Sequence, residues 1–227
     1  MWRYRRRLLI PQTANADPAE FIRANTDLIT PPLVCEINLL LANEAQPIWL
    51  ATEADLDEYG LPPPYWAFAW AGGQALARYI LDHPHEVQGK RVFDFASGSG
   101  LVAIAAAMAG AIAVTANDID PFAITAIALN ANSNGVNVTT EIRDMIGQPL
   151  DEYDVLLAGD VCYEQSMANR TIAWLRDRAV ADKSVLLGDP GRSYLPKTGM
   201  DWVIRYGILE SGPLEDTDAR NAIVWRV

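Results

Sequence analysis

Cysteine and histidine are nearly missing from this chain of 227 residues: Cys35 and Cys162 stand alone, no CxxC occurs, and the histidines are His83 and His85. A zinc site or a disulfide framework therefore lacks its ligands, no metal is expected, and the pattern suits a reducing compartment. Long apolar runs are missing too. The longest, LVAIAAAMAGAIAV, is broken by glycine and stops short of the ~20 residues a membrane span needs, so no membrane partner is expected. Positive charge is in deficit, with 18 Lys and Arg against 29 Asp and Glu and a net charge of -11, and such a chain repels a phosphate backbone. Nucleic acid is thereby set aside as a main partner. Leu8 to Ile10, behind Arg3 and Arg5 to Arg7, is too short for a signal-peptide core. The expected setting is the cytoplasm of a bacterial-type cell, or the mitochondrial matrix if the source is eukaryotic.

What is present is an apolar half: 50% of residues are hydrophobic, without internal repeats or low-complexity tracts. That composition predicts one compact core at 66–227 with an N-terminal extension at 1–65 packed on it. Asp17, Pro18 and Glu20 read as N-cap, first position and capping-box acid of a helix over 18–29 that Pro31 and Pro32 end. Alternation from Leu33 to Leu41, followed by Ile48 to Ala51, predicts a hairpin, and Thr52 caps a short helix through Tyr59. From residue 74 helices and strands alternate: helix 74–82, strand 91–95, helix 101–109, strand 112–117, helix 121–133, strand 137–142, strand 153–158, helix 164–180, strand 184–188. Trp202 to Ile208 and Asn221 to Val227 follow with no helix between them, which predicts an antiparallel pair at the sheet edge. The fold class expected is α/β: a Rossmann-like sheet of seven strands, mostly parallel, with an antiparallel C-terminal pair and an N-terminal helix and hairpin.

The chemistry-bearing residues fall at the ends of those strands. In VFDFASGSG, Gly98, Gly100 and Ala103 match the GxGxx(G/A) spacing that brings backbone close to a ligand at a helix N-terminus. Asp94 discriminates between ligands, because a carboxylate there repels a pyrophosphate and suits a ligand ammonium. It points to S-adenosyl-L-methionine over NAD; capping of the next turn is the competing role. Asp118 lies 20 residues after Gly98, at the distance of a ribose-binding acid, while Asp120 before Pro121 reads as a helix N-cap. Ile119 beside Asp118 joins the cofactor-facing set. After the third strand Arg143, Asp144 and Met145 fall where an adenine lies in this topology. The fourth strand ends in Asp160, with Tyr163 three residues on. Asp-x-x-Tyr shares the spacing of the motif of amino-methylating nucleic-acid enzymes, but Val161 and Cys162 replace its prolines. An amine on a protein fits the acidic chain better. Against this stand a helix cap for Asp160 and a core position for Tyr163; Cys162 reads as a small buried apolar residue.

The motifs RANTDLITPPL, PPYWAFAWAGGQALARYILD, the strand and turn with Asp94, ANDIDP, GDVCYE and LLGDPGR ending at Arg192 occur in one order from about residue 20 onward. In this the chain resembles the protein lysine methyltransferases that modify the β subunit of the electron transfer flavoprotein, within the seven-strand S-adenosylmethionine-dependent class. The resemblance implies that Trp70 borders the methionine end of the cofactor and that Asp160 and Tyr163 face the target lysine. Ala71 stands where that family is expected to have Pro, and Ala96 where the turn has its first Gly. The competing classes are an NAD-type oxidoreductase, opposed by Asp94 and the terminal strand pair, and a cofactor-holding module without catalysis, opposed by Asp160 and Tyr163. Among methyltransferases, a ribosomal-protein lysine is the alternative substrate.

Overall fold

A computed structural model describes residues 17–44, 46, 48, 61–208 and 221–227. Helix α1 (Pro18–Asn25) starts as the sequence predicts, with the Asp17 carboxylate accepting from the Ala19 N–H at 3.1 Å. It ends four residues earlier than predicted. Asn25 and Thr26 turn their side chains back onto the Phe21 and Ile22 carbonyls at 2.9 and 2.6 Å, satisfying the last turn before either proline is reached. The released chain becomes β1 (Asp27–Ile29), which pairs antiparallel with β2 (Leu39–Leu41). The predicted hairpin thus forms with a different partner: Leu33 to Asn38 is a pair of turns that bury Val34 and Ile37, and the Cys35 side chain is exposed. Residues 49–51, the helix expected from Thr52 to Tyr59, and the basic N-terminus lie outside the described residues.

The main sheet follows the predicted alternation within a few residues at each end. Helix α2 (Ala71–Asp82) leads to β3 (Arg91–Phe95), α3 (Leu101–Met108), β4 (Ala113–Asn117), α4 (Pro121–Ser133) and β5 (Thr139–Glu141). Then come β6 (Val155–Gly159), α5 (Gln165–Val180), β7 (Ser184–Asp189), β8 (Asp201–Gly207) and β9 (Asn221–Arg226). The strand order is β5-β4-β3-β6-β7-β9-β8; the first five are parallel, and β9 lies antiparallel between β7 and β8. Side chains alternate between two faces, as the period of a strand requires. Val92, Val155, Leu157 and Leu186 pack beneath α2, α3 and α4, whereas Phe93, Phe95, Leu156 and Leu187 pack against Ile172, Trp174 and Leu175 of α5.

Two contacts fix this core against its surroundings. Buried Asn130 of α4 accepts from the Leu40 N–H at 2.8 Å and donates to the Ser99 carbonyl at 2.8 Å, joining the N-terminal layer to the loop after β3. The first turn of α2 presses on the ends of β6 and β7 through glycines: a Cβ on Gly72 would strike the Gly188 carbonyl and lie 2.6 Å from Asp160 Oδ2, and one on Gly159 would lie 2.9 Å from the Gly73 Cα. A Cβ on Gly73, by contrast, would meet nothing within 4 Å among the described residues.

Neighbouring glycines should therefore respond in opposite senses. Gly72→Ala is expected to cost about 3 kcal/mol or more by overpacking, lowering Tm by roughly 6–12 °C for a chain of this size. Gly73→Ala should be neutral or raise stability by up to ~1 kcal/mol, since it removes backbone freedom from the unfolded chain. Calorimetric melting of both variants checks this, and equal shifts would refute the close approach.

Candidate active site

The loop after β3 is held in a left-handed path, with φ of 51° at Ala96, 54° at Gly98 and 84° at Gly100. Ala96, in place of the expected glycine, adopts that conformation at a cost of roughly 1–2 kcal/mol, so the turn is tight despite the substitution. Asp94, buried beneath it, accepts from the Ser97 hydroxyl and from the Ala103 N–H at 3.1 Å, which ties strand, turn and helix α3 together. Capping is thus part of its work. Both bonds fall on Oδ2, so Oδ1 lies outside them. Burial, reinforced by the nearby Asp118 charge, pushes the Asp94 carboxyl up to about 7.

Asp118, at the end of β4, accepts from the Gly98 N–H through Oδ2 at 2.9 Å and from the Asp120 N–H through Oδ1 at 3.1 Å; burial raises its pKa. Asp120 caps α4 as predicted, through the Phe122 N–H at 2.8 Å. The structure therefore gathers Asp94, Ala96, Gly98, Gly100 and Asp118 into one site, and among the described residues no guanidinium or ammonium is a hydrogen-bond partner of either carboxylate. Ile119 projects beside it, 71% exposed. Asn117 pins the Glu141 and Arg143 carbonyls at 2.8 Å each, so the 142–145 loop begins next to Asp118. Within that loop Met145 is buried, while Asp144 is exposed and pairs with Arg170 at 3.2 Å.

A second group of side chains adjoins the turn through Tyr65 and Trp66, whose backbone lies 3.9 Å from where a Gly98 Cβ would stand. Trp70 donates from its indole N–H to the Tyr65 carbonyl at 2.9 Å. The Tyr65 ring lies 6.1 Å from that of Trp70 and 5.3 Å from that of Tyr163, making an aromatic mouth. Tyr163 is partly exposed there, and burial together with the charges around it pushes its phenol up to about 12, so it is neutral at ordinary pH.

Asp160 closes the inner end of this mouth. It does not cap α5, because Glu164 does so through the Ser166 and Met167 N–H groups at 2.8 and 2.7 Å. Instead Asp160, at φ 57°, accepts from the Gly73 N–H at 2.8 Å and pairs with Arg192 at 2.8 Å. Burial raises its pKa while Arg192 opposes the shift. Cys162 is buried beside it, with a thiol pushed up to about 12, in keeping with an inert packing role. Two participants escaped the sequence reading: Asp189, at the end of β7, and Arg192. Asp189 Oδ1 accepts from the Gly191 and Arg192 N–H groups at 2.7 Å each, while its Oδ2 is buried without a partner among the described residues. The signal was available, since Asp189 ends a parallel strand as Asp160 does and precedes a Pro-Gly turn.

Comparison with known proteins accords with this geometry. Residues 75–161 match the family model for ribosomal protein L11 methyltransferase. The electron transfer flavoprotein beta subunit lysine methyltransferase of Homo sapiens is 37% identical over 212 residues, covering 90% of this chain and 80% of that protein. Its Xenopus laevis counterpart is 35% identical over 223 residues, covering 95% and 89%. Among solved structures, magnesium protoporphyrin IX methyltransferase from Synechocystis PCC 6803 with bound SAH has the same fold, with a TM-score of 0.51 and 18% identity over 69% of this chain and 83% of that one.

Asp94 gives a pH signature of the free protein. Its carboxyl sits at about 7 in the fold against 3.8 when unperturbed, so the folded state binds more protons between those values and stability falls as pH rises from about 4 to about 7. Asp94→Asn keeps an oxygen for Ser97 and Ala103 but removes the titration. The Tm difference between variant and parent should grow in the variant's favour across that window and then level off; a difference independent of pH would refute the assignment.

Proposed function

The chain belongs to the electron transfer flavoprotein β subunit lysine methyltransferase family, and on that footing we propose that it transfers methyl groups from S-adenosylmethionine to a lysine side chain of that subunit. The observation that carries this reading is the 37% identity extending over 90% of the chain, well beyond the nucleotide-binding half that all such folds share. The site supports it chemically. Two carboxylates without a basic partner among the described residues suit ribose hydroxyls and an ammonium, whereas the pyrophosphate of NAD would meet their charge.

When bound, S-adenosylmethionine supplies a methyl whose bond to sulfur breaks, the electron pair staying on sulfur, as a neutral lysine nitrogen bonds to the carbon. In this reading Asp94 and the Ala96–Gly100 turn receive the methionine end, Asp118 the ribose, and Ile119, Asp144 and Met145 border the adenine. Trp70 borders the sulfonium, where an aromatic face attracts a cation. Asp160 and Tyr163 face the lysine: the buried carboxylate accepts from the amine and aims it, and the neutral phenol shapes the entrance. Aiming is where such an enzyme gains most of its rate. A free lysine at pH 7 takes roughly 4.6 kcal/mol to deprotonate, and the released proton passes to water. The acidic surface supports a protein substrate over nucleic acid, and the two free cysteines support a reducing compartment, cytoplasmic or mitochondrial.

Incubation with purified flavoprotein and S-adenosylmethionine should add methyl mass to a lysine of the β subunit, read by mass spectrometry. Transfer to ribosomal protein L11 or to RNA instead would overturn the substrate. Calorimetry should find binding of S-adenosylmethionine and not NAD, weakened roughly 10- to 100-fold by Asp94→Asn through loss of a charged hydrogen bond.

A further inference from the structure

Asp160 and Arg192 meet inside the aromatic mouth, and the arginine is fixed at both ends. Its backbone N–H is held by Asp189 Oδ1 at 2.7 Å. Its guanidinium places Nε and Nη2 at 3.0 and 2.8 Å from Asp160 Oδ1 and stands 5.4 Å over the Trp70 ring. The pair is largely withdrawn from solvent, with side-chain exposures of 20% for Arg192 and 7% for Asp160. A carboxylate so placed has a drawback for an amine nucleophile. An opposite charge within about 4–6 Å raises a lysine pKa by ~1–3 units, and an ammonium has no lone pair to give.

We propose that Arg192 is a positioning residue that keeps the target amine neutral: fixed against Asp160, its guanidinium offsets the carboxylate charge that would otherwise hold the incoming lysine as an ammonium. This rests on the lysine-methylation reading above. The paired carboxylate retains lone pairs with which to accept from the neutral amine, so aiming survives while charge attraction is reduced.

The groups facing the pair are consistent with this role. From α2 come the Gly73 N–H, bonded to Asp160, and the Gly72 backbone. From the loop after β6 come the Cys162 thiol and Tyr163 phenol, both neutral below about 12. Tyr65 lies against Tyr163, and the charges of Asp118 and Glu164 act on that phenol from farther off. From β7 comes Asp189, pushed up to about 6 by burial and by the Asp160 charge. Above that value two carboxylates face one guanidinium, and removing Arg192 would leave both unopposed.

The test is the pH profile of single-turnover methyl transfer to the flavoprotein, from about pH 6 to about 10, with cofactor saturating, so that the midpoint reports the bound complex. The parent enzyme should show a midpoint below the ~10.4 of free lysine. Arg192→Gln should shift it at least about one unit alkaline and lower the rate at pH 7 about tenfold, with recovery at high pH. The double variant Asp160→Asn/Arg192→Gln, which removes the charge nearest the amine and leaves Asp189 as the remaining carboxylate, should return the midpoint most of the way toward the parent value. Calorimetry with n-butylammonium in the presence of S-adenosylhomocysteine should show Arg192→Gln binding the cation about tenfold tighter or more.

An unchanged midpoint with uniformly slower transfer would make Arg192 merely structural, and faster transfer at pH 7 in Arg192→Gln would make it an obstruction; either overturns the proposal. If Arg192→Gln does not fold, the parent and the double variant decide, and a parent midpoint at or above that of free lysine overturns it. If the parent transfers nothing to the flavoprotein, the lysine reading fails by itself, while butylammonium binding still judges Arg192: tighter binding in the variant supports the charge offset, and unchanged binding refutes it.

Discussion

The approach of helix α2 to the ends of β6 and β7 is the constraint on which the site depends. Gly72, Gly159 and Gly188 lack the carbon that would force helix and sheet apart, and because they do, the Gly73 N–H reaches Asp160 at 2.8 Å. That bond sets where the carboxylate points, and the carboxylate in turn sets where Arg192 lies. Trp70 immediately precedes the same helix, so the aromatic mouth takes its position from the same contact. Backbone packing with no chemistry of its own thus fixes the geometry of the groups that carry chemistry. The helix N-terminus adds a positive partial charge beside Asp160, which favours the ionised carboxylate that burial opposes.

A second regularity runs across the sheet. In the spatial order β4, β3, β6, β7, each strand carries an aspartate within one residue of its C-terminal end: Asp118, Asp94, Asp160 and Asp189. Carboxylates in a row repel one another, and each here is shifted upward, first by burial. The row holds because each member has donors: Ser97 and Ala103 for Asp94, Gly98 for Asp118, Gly73 and Arg192 for Asp160, Gly191 and Arg192 for Asp189. Only the β6–β7 half is given a fixed cation among the described residues. Among the described residues the β4–β3 half bonds its carboxylates to neutral donors alone, and on the proposed function that division separates a cationic cofactor from an amine that must be neutral.

Much of this was legible in the sequence, and the gaps have physical causes. The strands and helices from residue 71 onward are marked by short apolar runs and turn residues, so local pattern and tertiary pairing agree. In the N-terminal layer they do not. Leu39 to Leu41 pairs with Asp27 to Ile29, a stretch with no strand pattern of its own, because Asn25 and Thr26 end α1 early. Asp118 and the turn could be placed from spacing, since that part of the site is contiguous with one strand–turn–helix unit. The bond between Asp160 and Gly73 spans 87 residues of chain, and Arg192 joins Asp160 from 32 residues away; no local pattern reports such contacts. The helix-cap alternative for Asp160 was open for the same reason, and only Glu164 taking that place closed it.

On the proposed function, the choice of arginine at 192 follows from the same electrostatics. A lysine could supply the positive charge, but its ammonium shifts pKa readily when buried, and once neutral it would be a nucleophile in the seat where a nucleophile is methylated. A guanidinium stays charged at any working pH and its delocalised electrons make it a poor nucleophile, so it can stand beside the reacting atoms without competing for the methyl. Its planar fork also spans Nε and Nη2 against one carboxylate oxygen while lying over Trp70, an arrangement a point charge on a flexible stem does not reproduce. The chain as a whole holds three lysines among 18 basic residues, and Lys90 and Lys183 of these are committed to backbone carbonyls, those of Glu86 and Asp151. A site that must recognise one amine among many is best built where its own cations cannot be mistaken for the substrate.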